Sequence, residues 1–87
     1  MAHTMSAKKR IRQTEKRRAR NNFYKTSMRT AIKKFRLAAE SGDLEKATEL
    51  HKEATKLIAK VAAKGIIHKN QAARKISRLT LKLNSIK

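Results

Sequence analysis

The chain has no cysteine, no proline and no tryptophan. Without cysteine there is no disulfide framework and no thiolate to hold a metal. Without proline nothing forces a helix to stop, and Gly42 and Gly65 are the only glycines. The aromatics are Phe23, Tyr24 and Phe35. No apolar run approaches the roughly 20 residues of a membrane-spanning helix. The start carries charge with no apolar segment behind it, so it does not read as a secretory leader; a cytoplasmic protein is expected. Acidic residues are also scarce. Six stand against 24 lysines and arginines in 87 residues, a formal charge of +18.

A chain of this length makes one domain with a thin core. So large a charge opposes compaction and calls for a polyanionic partner. Nucleic acid is the first candidate and an anionic membrane surface the second. The charge is unevenly placed. Residues 1–20 hold eight basic and one acidic residue, residues 41–60 hold four of each, and residues 61–87 hold seven basic and none acidic. The neutral segment reads as a face turned away from the partner.

The organising stretch is Ser6 to Glu40, read as one long helix with Ser6 as its N-cap. Met1 to Met5 is expected to fray. In the first part Lys8, Lys9, Arg10, Arg12, Lys16, Arg17, Arg18 and Arg20 point in every direction around the axis. A membrane-surface helix would instead separate its charges from an apolar face. Like charges three and four apart oppose an isolated helix, so residues 8–22 are expected to order only when anions neutralise them. From Tyr24 an apolar stripe begins: Tyr24, Met28, Ala31, Phe35 and Ala38. Lys25, Arg29, Lys33 and Arg36 flank it, either as a solvated face or as a phosphate-contacting strip. Phe23 lies off the stripe. The reading adopted is that it covers the end of the bundle; the other is that it stacks on an exposed base.

Gly42 suits a left-handed helix end and Asp43 a following N-cap. A second helix is expected from about Leu44 to Lys64. Its stripe is Ala47, Leu50, Ala54, Leu57 and Val61, with Leu44 and Ile58 beside it. Glu49 with Lys52 and Glu53 with Lys56 are candidate surface pairs. Gly65 marks a second stop, and Ile66 and Ile67 an apolar corner. A third helix starts between Ile67 and Asn70, with stripe Ala72, Ile76, Leu79, Leu83 and Ile86. Lys75, Arg78 and Lys82 line one side of it. Three stripes of matching period give an all-α, antiparallel three-helix bundle with shallow crossings. Residues 6–22 form a basic projecting rod and residues 23–87 the bundle.

Nothing suggests an enzyme. The acids do not converge with a base, His3, His51 and His68 have no metal-ligand spacing, and no glycine loop could cradle a nucleotide. No cofactor and no metal are expected. His51 flanks the second stripe and reads as structural. His68 sits with Lys64, Lys69 and Asn70 at a helix-to-helix corner. That corner is either an anion site at a helix N-terminus or a polar capping turn.

The series Ser6-Ala7-Lys8-Lys9-Arg10, Met28-Arg29-Thr30 with Ile32-Lys33-Lys34, Gly42-Asp43, Ala62-Ala63-Lys64-Gly65, Ile67-His68-Lys69-Asn70 and Ala72-Ala73-Arg74 resembles the bacterial small-subunit ribosomal protein S-twenty family. The likeness runs from Ser6 onward. His3-Thr4-Met5 departs from an opening in which a basic residue precedes the serine. The resemblance implies a three-helix protein with a long first helix, bound to 16S ribosomal RNA without needing other proteins first. It implies RNA contacts at Lys8, Lys9, Arg10, Arg29, Lys33, Lys34, Lys64, His68, Lys69, Asn70 and Arg74. Arg12, Lys16, Arg17, Arg18, Arg20, Lys25, Lys75 and Arg78 join them on charge and position. The expected partner is thus 16S ribosomal RNA, with other small-subunit proteins as neighbours, no membrane, and a monomeric free chain. The rival is a DNA-binding or nucleoid-associated helical module.

Overall fold

Nothing in the sequence interrupts a helix before residue 41, and in the computed structural model α1 runs unbroken over Ala2–Glu40. The structure describes the backbone of residues 2–87 and the side chains from Ser6 onward. Met1, the first residue of the segment expected to fray, lies outside the described residues. Because α1 starts at Ala2, Ser6 is inside the helix and is not its N-cap. At 1.5 Å per residue, 39 residues give a rod of about 58 Å. Helices α2 (Leu44–Ala63) and α3 (Lys69–Ser85) complete the fold, and no strand occurs among the described residues.

The two turns are the same device used twice. Asp43 N–H reaches Ala38 O at 3.3 Å and Gly42 N–H reaches Ala39 O at 3.1 Å. Ile66 N–H reaches Val61 O at 3.2 Å and Gly65 N–H reaches Ala62 O at 2.9 Å. This is the Schellman pattern, which needs a left-handed residue at the helix end. Gly42 and Gly65 both supply it at φ 77°, where a Cβ would cost on the order of 1 kcal/mol. Asp43 ends one helix and starts the next: its Oδ1 accepts from Lys46 N–H at 3.2 Å. Losing such a cap costs about 1 kcal/mol.

The contacts set the helix directions. Lys82 of α3 lies 3.6 Å from Glu40 at the end of α1, while His68 at the start of α3 shares a hollow with Lys25 and Arg29. So α1 and α3 run the same way, and α2 runs back between them and packs on both. One core joins all three. Met28, Phe35, Ala38 and Ala39 come from α1, Ala47, Ala54, Ile58 and Val61 from α2, and Ala72, Leu79 and Leu83 from α3. Phe35, Ile58 and Val61 are fully buried, each stabilising by roughly 1.5–3 kcal/mol.

Several expectations change in the packing. Ile58 rather than Leu57 centres the α2 stripe, and Leu44 is exposed. On α1, Ala39 joins the core and Ile32 packs against it, because α1 meets two helices and needs a wider apolar arc than one stripe. Phe23 does not cover the bundle end. It is 66% exposed and touches Tyr24 edge to face, 5.5 Å between centroids. The expected Glu49–Lys52 and Glu53–Lys56 pairs are not closed; the ion pair among the described residues is Lys82–Glu40.

His51 is structural, as expected. Its Nε2 lies 3.0 Å from Thr80 Oγ1, and its ring packs on Phe35. The Thr80 hydroxyl donates its one hydrogen to Ile76 O at 2.9 Å, so it accepts from His51 and fixes the Nε2–H tautomer. Burial first, and the Lys87 charge second, lower the His51 pKa. The unfolded chain therefore binds a proton that the native state resists. The stability carried by the neutral ring is whole above the unfolded value of about 6.5. It is lost as pH falls below that value, and the loss ends once pH passes the lowered native pKa. The melting temperature should fall as pH drops below about 6.5, and His51→Gln should flatten that fall. An equal fall in the variant would mean that another group titrates.

Candidate nucleic-acid interface

Two basic regions meet on this fold. The first is the free half of α1. Every residue from Ser6 to Arg20 is exposed, so the eight cations from Lys8 to Arg20 stand out around the rod. Lys9, Arg12 and Lys16 border one shallow hollow on it.

The second region is the furrow between α1 and α3. At its upper end Lys25, Arg29, His68, Gln71 and Lys75 surround one hollow. Arg29, Lys33, Arg36 and Lys75 border the next one down. The α1 members recur every three or four residues, so they lie along one side of the helix. On α3, Lys75 and Arg78 continue that side toward Lys82. At the lower end, the Glu40 carboxylate is held by Lys82. No acid borders either hollow of the furrow, and the first turn of α3 contains none. That helix end adds its own partial positive charge. The furrow presents a row of donors with hardly any acceptor among them.

The corner residue His68 is the N-cap of α3, so the capping-turn reading of that corner holds. Its Nδ1 accepts from Asn70 N–H at 3.1 Å. That bond leaves Nε2–H as the free donor of the neutral ring. Lys64 sits apart from the furrow, its Nζ 4.9 Å from the Tyr24 ring centroid, with Lys60 Nζ at 5.9 Å. Lys34 lies on the α2 side of α1. Lys69, Asn70 and Arg74 are exposed at the start of α3; Arg74 is turned about 100° from Lys75. Arg36 and Gln71 are furrow residues absent from the candidate contacts, although the spacing of Arg36 from Arg29 and Lys33 already placed it on their side.

Among the described residues no helix is long and apolar enough to cross a membrane, and no group of three acidic, histidine or cysteine residues could hold a metal. The family profile described as ribosomal protein S20 matches residues 2–84. The chain belongs to the ribosomal protein S20 family. Among S20 relatives, the small ribosomal subunit protein bS20 of Natranaerobius thermophilus is 56% identical over 86 residues, 99% of this chain and 98% of its own. That of Persephonella marina is 53% identical over 87 residues, covering 100% and 95%. That of Geobacillus kaustophilus is 55% identical over 86 residues, covering 99% and 97%. These S20 matches extend through the rod as well as the bundle.

Proposed function

We propose that this chain is a structural constituent of the small ribosomal subunit, binding 16S ribosomal RNA directly and helping it fold during assembly. It acts in the cytoplasm, as a monomer until it is incorporated, and without catalysis. One observation carries this reading beyond family membership: the furrow of donors on the bundle continues the same helix that forms the exposed basic rod. Phosphates accept and do not donate, so a row of Arg and Lys matches a nucleic-acid backbone. A-form RNA hides its base edges in a deep, narrow groove, so contacts go to phosphates and 2′-hydroxyls, and the fold of the RNA supplies specificity. The rod neutralises charge between RNA helices that would otherwise repel.

The DNA-binding alternative needs a recognition helix held across its neighbours to enter a major groove. Here α1 and α3 stay side by side from Lys25 and His68 to Glu40 and Lys82. Competition at fixed salt tests the choice. Excess duplex DNA is expected to leave the complex with refolded 16S ribosomal RNA intact. Displacement by duplex DNA as efficiently as by unlabelled RNA would overturn the reading.

A further inference from the structure

The side of α1 away from the furrow has a different chemistry, with an exposed aromatic ring and a carboxylate among its polar groups. A groove there is bordered by Asn22, Phe23, Thr26, Ser27, Thr30 and Lys34 of α1 and by Glu53 of α2, so acceptors and donors both line it. The Ser27 hydroxyl donates to Phe23 O at 2.9 Å, and the Thr30 hydroxyl donates to Thr26 O at 2.9 Å. Each hydroxyl has one hydrogen and uses it within the helix, so only lone pairs remain for a ligand. The Glu53 carboxylate adds further acceptors. A phosphate has no hydrogen to offer the Ser27, Thr30 and Glu53 oxygens, and the Glu53 carboxylate repels it. Bordering the same groove is the Phe23 ring, 66% exposed and braced edge to face by Tyr24. Tyr24 is itself covered by the Lys64 ammonium.

We propose that this groove receives an unpaired nucleotide of the bound RNA. Its base stacks on Phe23, and its 2′-hydroxyl or amino edge donates to the Ser27, Thr30 and Glu53 oxygens. The proposal rests on the RNA-binding reading and adds a nucleoside site to it. Stacking needs an exposed aromatic face, and single-stranded bases are what such faces take in RNA. The 2′-hydroxyl and the base amino groups are the donors that RNA carries. Lys34, at the far end of the groove from Phe23 along α1, supplies the cation for a flanking phosphate. The two sides of one helix thus divide the polymer between them, a run of phosphates to the furrow and one nucleoside with its flanking phosphate to the groove.

The test uses the full-length chain and protein-free, refolded 16S ribosomal RNA. Phe23→Ala is expected to weaken binding by about tenfold or more. The salt slope should stay the same, because no phosphate contact is removed, and the melting temperature should not move. Phe23→Trp gives the chain its only indole. It should keep the parent's affinity, and its emission should be quenched on the RNA. Three results would overturn the proposal: Phe23→Ala binding within about twofold of the parent, an affinity loss matched by a loss of melting temperature, or an indole quenched only in assembled subunits. The last would assign the groove to a neighbouring protein. Failure of the parent chain itself to bind this RNA in preference to duplex DNA would instead overturn the RNA-binding reading.

Discussion

Removing residues 1–22 should leave the melting temperature of the bundle nearly unchanged and should reduce affinity for 16S ribosomal RNA severely. The buried core of α1 begins at Met28, and every residue from Ser6 to Arg20 is exposed, so the deletion uncovers almost no apolar surface. It also removes eight cations that repel one another and the rest of the chain. In the free protein, helical order over residues 8–22 has no tertiary packing behind it, and packing supplies most helix stability in proteins. Fixing about fifteen backbones costs on the order of 15–30 kcal/mol gross. Helical hydrogen bonds offset part of that, and phosphate contacts supply the rest when RNA is present. The free protein should therefore show sharp, poorly dispersed amide signals for residues 8–22, with dispersion gained on RNA. Amide exchange there as slow as at Ile58 or Leu79 would show that the rod is already rigid, and coupled folding would be the wrong account.

The second large effect is on salt dependence. Each phosphate that a lysine or arginine neutralises releases condensed counterions, so the logarithm of affinity falls linearly with the logarithm of salt concentration. With about 6–10 such contacts, raising salt from about 50 to 200 mM should weaken binding by roughly 10³- to 10⁵-fold. Arg29→Ala and Lys75→Ala, on facing sides of the furrow, should each lower the slope by about one while weakening binding to all RNA sequences alike. Both side chains stand at the surface of the furrow rather than in the core, so stability should hold. An affinity nearly flat across that salt range would remove phosphate neutralisation as the mechanism.

Much of the fold could be read from local rules. Gly42, Asp43 and Gly65 act through their own backbone conformation or their own side chain, so their roles show in the sequence. The α3 stripe from Ala72 to Ile86 is also where spacing put it, because α3 packs on one main neighbour. Reading failed where a position depends on two elements at once. The wider arc of α1, with Ala39 and Ile32, follows from its contact with both α2 and α3. The shift from Leu57 to Ile58 reflects how α2 turns to serve two partners. For the interface, spacing showed Lys25, Arg29, Lys33 and Arg36 as one strip of α1. It could not show that His68 and Lys75 close the other wall, because that depends on α1 and α3 running the same way. Phe23 was misread because aromatic side chains usually pack, whereas its angular position had already set it apart from the stripe. His68 caps α3 through Nδ1 and also lines the furrow; the sequence alone offered a capping turn or an anion site there, and not its place opposite Lys25 and Arg29.

The molecule measures 64 × 21 × 13 Å, with a radius of gyration of 17.6 Å. A compact chain of this length would have a radius of about 12 Å. The excess comes from α1, which passes from bundle to rod with no glycine or proline as a hinge. Once the rod is ordered on RNA, two footholds are thereby fixed at a set separation. With the bundle bound, the tethered arm meets its own site at an effective concentration set by the joining chain rather than by the solution, and it can turn helical there only at that separation. That gain exists only if the RNA holds the two sites the same distance apart. An RNA whose helices are misplaced engages one foothold and loses the second entirely. A stiff ruler of this kind makes affinity report on the spacing of the RNA fold, so the protein would select correctly arranged RNA even where no base is read.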